Sequence, residues 1–256
     1  MDIASLLSIV TGISIGAAAG YLGSLMLGRR MSLVAGPLGH LTLPGVALAL
    51  LYGFDVSLGA FPFVAVGIAA IWLLELKTRL PLDALTAIVF ATGVAIAFLL
   101  LPIDQAEAAL VGDISRVGIG DMVAALLGCV IVVACAHRIY PQLVLINISE
   151  DLALSEGIRV RRINFTYLLL IAVVVALGVK LVGGLLTAAL VAIPPAAARN
   201  VSTRLGQYAL LSTMIGVVST LAGILLYRLT GLPAGPLVVL VSAVCFLATL
   251  PFARPN

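Results

Sequence analysis

The chain has 256 residues, of which 62% are hydrophobic and 10% charged, with a mean hydropathy of +1.26; no water-soluble surface can be built from that balance. Its net charge of +3 and pI near 8.9 come from basic residues scattered between apolar runs. That distribution argues for a topological cause and against a nucleic-acid partner.

Apolar runs of about 20 residues, enough to cross a bilayer, recur along the chain. Their punctuation predicts an all-α polytopic bundle with spans near 3–27, 37–52, 57–76, 82–101, 119–139, 163–182, 185–198, 208–228 and 235–252. The total is about nine, with eight to ten open, because Leu181 to Leu185 reads either as an external turn or as an interruption in one helix. Residues 1–256 read as one transmembrane domain.

The first span starts Met1-Asp2-Ile3, with an acid where a secretory leader carries Lys or Arg, and is expected to be retained. Within it Gly12, Gly16 and Gly20 recur every fourth residue, a small-residue face for close helix packing. The second span, Ala35-Gly36-Pro37-Leu38-Gly39-His40-Leu41-Thr42-Leu43-Pro44-Gly45, holds too many prolines and glycines for a regular helix. Broken backbone at membrane depth is tolerated where it faces protein or a watery cavity, so this segment is a candidate pathway lining. His40 lies in it, and physical chemistry alone leaves two roles open: a pathway or ligand residue, or a structural hydrogen-bonding one.

After the fourth span, the connection from Pro102 to Asp121 holds Asp104, Glu107, Asp113 and Asp121 against Arg116. The longest cytoplasmic connection is expected from His137 to Arg162, with a short helix capped by Asn147, answered by Glu150 and ended by Gly157. It reads as a connector held by anionic lipid or as a docking helix for a motor subunit. The seventh span leaves Gly183-Gly184 and meets Pro194-Pro195, so an interruption near the cytoplasm is expected. With the N-terminus outside and the C-terminus inside, 11 of the 14 basic residues fall on the cytoplasmic side, leaving Arg116, Lys180 and Arg228 outside.

Catalytic signatures are missing or out of context. Lys77 follows Leu76 and Lys180 follows Val179, so no Gly-Lys pair exists for a phosphate-binding loop. Two histidines, His40 and His137, cannot supply a His-Glu-x-x-His zinc site, and His137 beside Arg138 reads as a solvated interfacial residue. Gly12-Ile13-Ser14-Ile15-Gly16 matches a nucleophile elbow but lies in an apolar helical run instead of a strand-to-helix turn. Cys129, Cys135 and Cys245 all sit in apolar runs as packing residues.

Gly39-His40-Leu41-Thr42-Leu43-Pro44-Gly45-Val46-Ala47-Leu48 resembles the Ser-His-x-x-Leu-Pro-Gly-Val-Ala segment of the zinc and manganese ABC importer permeases. Asp83 to Gly93, Leu110-Val111-Gly112-Asp113-Ile114, Asp151 to Ile158, Gly178 through Pro194 to Arg199, and Pro233-Ala234-Gly235-Pro236 resemble further segments of that family, in the same order. The resemblance implies a type II importer-like permease for zinc, manganese or iron in a bacterial or archaeal cytoplasmic membrane. It would work as a homodimer with two cytoplasmic ABC ATPase subunits and an extracytoplasmic metal-binding protein, the metal being cargo and no cofactor being bound. It places a translocation path at His40, Thr42 and Pro44, and ATPase coupling at Glu150, Asp151, Ala153, Glu156 and Gly157, with pathway helices shaped by Gly183, Gly184, Pro194 and Pro195.

Three positions depart from the family pattern. Gly36 stands where metal-importing relatives carry an aspartate one helical turn before the histidine, Gly231 where an acid precedes the Pro-x-Gly-Pro motif, and Gly39 where a serine flanks the histidine. Imidazole without carboxylate leans toward zinc over manganese, or toward a chelate or organic-cofactor cargo. The rival classes are a secondary carrier, which would show buried acids or an inverted repeat, and an intramembrane enzyme, for which Ser14 lacks a partner.

Overall fold

A computed structural model describes residues 3–27, 39–78, 80–100, 112, 114 and 117–253. Gly36, Pro37, Arg29, Arg30, Arg79, Arg116, Arg254, Asp113 and residues 101–111 of the acidic connection lie outside these. Among the described residues there is no strand, and the elements are α1 (Ile3–Leu27), α2 (Leu43–Tyr52), α3 (Val56–Lys77), α4 (Leu82–Leu100), α5 (Ile119–Ile148), α6 (Glu150–Ser155), α7 (Val160–Val182), α8 (Gly184–Val201), α9 (Leu205–Thr230) and α10 (Ala234–Thr249), closed by a 3-10 turn, Leu250–Phe252. Six helices are long and apolar enough to cross a membrane alone, while α2 and the apolar part of α4 are shorter.

Contacts fix the direction of each helix. Gly12, Gly16 and Gly20 of α1 face Ile224, Thr220 and Ser212 of α9 in descending order, so the two run antiparallel. Lys180 meets Asp121 while Leu177 meets Gly128, which sets α7 against α5, and Trp72 against Phe165 with Asp55 against Lys180 sets α3 against α7. Gly45 and Gly59 fold α2 back on α3, and Gly223 against Val238 folds α10 back on α9. The nine elements other than α6 therefore alternate in direction, and α6 lies at the end opposite Lys180.

Small residues set these distances. A Cβ on Gly16 would collide with the Thr220 side chain and the Gly216 carbonyl, and one on Gly20 with the Ser212 carbonyl, so the expected small-residue face is where α1 meets α9. Ser212 Oγ donates to the Gly20 carbonyl across this seam at 2.5 Å. Behind it, Tyr167 is fully buried and its hydroxyl donates to the Leu22 carbonyl at 2.6 Å, tying α7 to α1.

Three expectations are corrected. The helix that holds the fifth span does not stop with it near residue 139: α5 runs 30 residues through Pro141 to Ile148, about 45 Å against a hydrocarbon thickness of about 30 Å. His137-Arg138 marks a membrane exit, and the helix continues into water, where solvent can satisfy the carbonyl that exposed Pro141 leaves without a donor. The seventh span is not interrupted, because Pro194 and Pro195 lie inside a continuous α8. Pro195 leaves the Val191 carbonyl without its amide, and Gly23 of α1 packs against that carbonyl so closely that a Cβ there would collide with it. The helix cap before α6 is Ser149, whose Oγ accepts from the Leu152 amide at 3.2 Å, while Asn147 lies in the last turn of α5.

Candidate functional site

Leu41 and Thr42 form a turn, the expected break, between helical Gly39–His40 and α2. The Thr42 hydroxyl donates to the Gly39 carbonyl at 2.6 Å and its amide to the same oxygen at 3.3 Å, closing a turn before α2 begins. Thr42 is fully buried with its hydroxyl committed to that turn, so its part is to shape the break. Pro44 stands in the first turn of α2, where its missing amide costs no helical bond. Gly45 has no side chain because the Gly59 carbonyl occupies that space.

His40 is half-buried beside Phe90 of α4, with ring centroids 5.0 Å apart and planes at 60°. Leu41 inserts against Gly67 and Gly93, near the middle of α3 and α4. The break therefore lies at mid-depth, one 10-residue helix below the α2–α3 corner. Among the described residues no group of three or more His, Cys, Asp or Glu converges to hold a metal.

The turn between α7 and α8 settles the expected ambiguity at Leu181 to Leu185. Gly183 alone joins the two helices, with φ 89° and ψ 157°, a region that essentially only glycine occupies. Gly178 against Thr187 shows that α8 folds back along α7, so these are two antiparallel helices joined by a turn. Gly112, at φ 72°, presses on this turn, and a Cβ on it would collide with the Gly183 amide. Gly112 and Gly183, far apart in sequence, thus meet; the side chains of residues 184–186 lie outside the described ones.

At the opposite end, α6 is pinned by fully buried Ala153, which packs with Ile146 and Val160. Glu150, Asp151 and Glu156 are exposed, as are Leu152 and Leu154. Gly157 has φ 76°, the left-handed cap expected of it, and its amide donates to the Leu154 carbonyl at 3.0 Å. The arrangement exposes acids and leucines on a helix fixed to α5 and α7. His137 lies near this end, exposed, with Nδ1 3.3 Å from the Tyr21 hydroxyl.

One charged constellation was not anticipated. Lys180 Nζ donates at 2.8 Å to Asp55 Oδ2 and, at 2.8 Å each, to both carboxylate oxygens of Asp121. Asp55 caps α3, accepting from the amides of Ser57 at 2.9 Å and Leu58 at 3.3 Å, and Asp121 caps α5 through the Gly118 amide at 2.7 Å. Burial acts to raise the Asp55 pKa, but the Lys180 hydrogen bond and charge, with the two amides, outweigh it and hold the carboxyl below its ordinary 3.8. The sequence signal was a lone lysine in the last turn of an apolar span, a position that calls for a carboxylate partner.

An all-helical bundle with six helices long enough to span a bilayer, a backbone break at mid-depth and no nucleotide-binding loop is a membrane permease. The chain belongs to the ABC 3 transport family, whose profile matches residues 4–253. It is 25% identical to the manganese transport system membrane protein MntC of Listeria innocua, over 96% of this chain and 89% of that one. It is 28% identical to the high-affinity zinc uptake system membrane protein ZnuB of Haemophilus influenzae, over 95% of each. Its fold matches a chain of PsaBC from Streptococcus pneumoniae in complex with Fab, with a TM-score of 0.85 at 24% identity, covering 97% of this chain and 91% of that one.

Proposed function

We propose that this permease is the membrane-spanning subunit of an ATP-driven importer for divalent metal, with zinc, manganese or iron as cargo. His40 carries the assignment: one imidazole in broken backbone at mid-depth, in a chain whose relatives are named for manganese and zinc. Two copies enclose the path, two cytoplasmic ATPase subunits bind the α6 ends, and an extracytoplasmic metal-binding protein delivers the ion at the Lys180 end. Residues 1–256 act as one domain, with the N-terminus outside. That orientation is supported by Lys77, Arg138, Arg159, Arg161, Arg162, Arg199 and Arg204 on helices or connections at the α6 end.

In this scheme the neutral imidazole of His40 offers nitrogen to the passing cation, and a homodimer would bring a second His40 into the same path. Nucleotide-driven closure of the ATPases pushes α6, and α5 and α7 carry the motion across the membrane. A metal chelate or organic cofactor is the second reading. It rests on Gly36, Gly39 and Gly231 standing where the family pattern carries an aspartate, a serine and an acid.

The test is uptake of radiolabelled zinc and manganese by cells expressing the chain with its ATPase and binding protein. Metal entry that falls at least tenfold in His40→Ala at unchanged abundance is the expected result, about 1.4 kcal/mol of lost cargo interaction. Metal entry unaffected by the substitution removes His40 from the path, and no metal entry in wild type shifts the cargo to a chelate.

A further inference from the structure

Helices α3 and α5 both pack on α7 and scarcely touch each other, which leaves a groove over α7. A cavity of about 350 Å³ fills it, in the size range of small-molecule sites. Leu58, Phe61 and Pro62 form one wall, Ala124 the other, and Ala176 and Leu177 the floor. The lining reaches from Lys180 back to Val173, seven residues or about 10 Å along α7 into the hydrocarbon. Leu58 and Phe61 are exposed on its rim, so it opens toward lipid.

At its head lie Asp55, Lys180 and Asp121, with side chains 34%, 16% and 21% exposed. Two carboxylates against one ammonium leave a net charge of −1 on the three. The three donors of Lys180 are already committed to those carboxylates, so an anionic headgroup finds repulsion and no free donor there. A cationic group carrying N–H finds charge complementarity and oxygen lone pairs.

We propose that this groove is a lipid site, holding one acyl chain of a phospholipid whose headgroup bears a primary amine, with that ammonium against Asp55 and Asp121. The apolar walls take the chain, and the residual charge selects the head. The site is separate from the break at His40, and its occupant would brace α3 against α5 at the end where, among the described residues, the triad links them.

The full chain, purified in detergent, is incubated with equal amounts of phosphatidylethanolamine and phosphatidylglycerol, washed, and its retained lipid measured by mass spectrometry. Enrichment of phosphatidylethanolamine by roughly fivefold is expected, the ratio that about 1 kcal/mol for one charge near the surface gives. Asp121→Asn should bring the ratio close to one with lipid still held. Ala176→Leu and, independently, Ala124→Leu should empty the groove with the triad intact, so the test survives if one of them misfolds. Equal retention of the two lipids by the wild type overturns the proposal, as does lipid retention unchanged in both leucine variants. Cross-linking of two copies through Leu58→Cys, on the exposed rim, with no lipid retained assigns the groove to a second chain and overturns it too.

Discussion

Asp55 serves two helices at once, capping α3 with one oxygen and holding Lys180 of α7 with the other. Its depressed pKa means that the folded chain binds this proton more weakly than the unfolded one. The stability it adds is therefore present above the ordinary value of 3.8 and is lost as the pH falls through the lower folded value. In thermal unfolding followed from pH 7 to pH 3, the gap between wild type and Asp55→Asn should be constant above about pH 5 and should close below 3.8. A gap that widens on acidification would contradict the ion pair. Sequence alone singled out His40 because an ionisable side chain in broken apolar backbone is conspicuous by itself. The triad was not legible, since its members stand 59 and 125 residues from Lys180 and each looked ordinary where it was: a loop acid, a corner acid and an exception to the charge bias.

The seam between α1 and α9 rests on missing side chains. Gly16→Leu must push α9 away from α1, and overpacking of this kind costs about 1–3 kcal/mol, with a lowered unfolding temperature. Gly206→Leu, at an exposed position with open space around it, should unfold like wild type and serves as the control. The four-residue glycine spacing was readable because helix geometry turns it into a face. Helix ends were less readable. A charged pair such as His137-Arg138 reports where a chain leaves the lipid, which is a statement about solvent, whereas the end of α5 is decided eleven residues after Arg138 by Ser149 turning extended to cap α6. The prolines of α8 misled for a related reason: their cost is met by a neighbouring helix, and neighbours are invisible in a linear pattern.

For the whole molecule, alternation of direction and the charge bias were legible from composition, because both follow from the bilayer as solvent. Which segments meet inside the bundle was not. The coupling scheme makes a distinct prediction here. Gly157 has φ 76°, which proline cannot adopt, and its amide bonds Leu154, so Gly157→Pro should unseat α6 without touching the membrane core. Uptake and transport-linked ATP hydrolysis should fall at least tenfold while membrane abundance holds; normal uptake would place coupling elsewhere.

Gly183 has a mechanical corollary. One residue spans at most about 3.6 Å, so the link between α7 and α8 contains no slack. When α7 rocks, α8 cannot lag behind it. Under the proposed coupling scheme, a push delivered at α6 would travel up α7, turn the corner at a single glycine and come back down in α8 through the covalent chain itself. That return leg ends at Arg199, beside the face where the push began. Load and response are then felt on the same side of the bilayer.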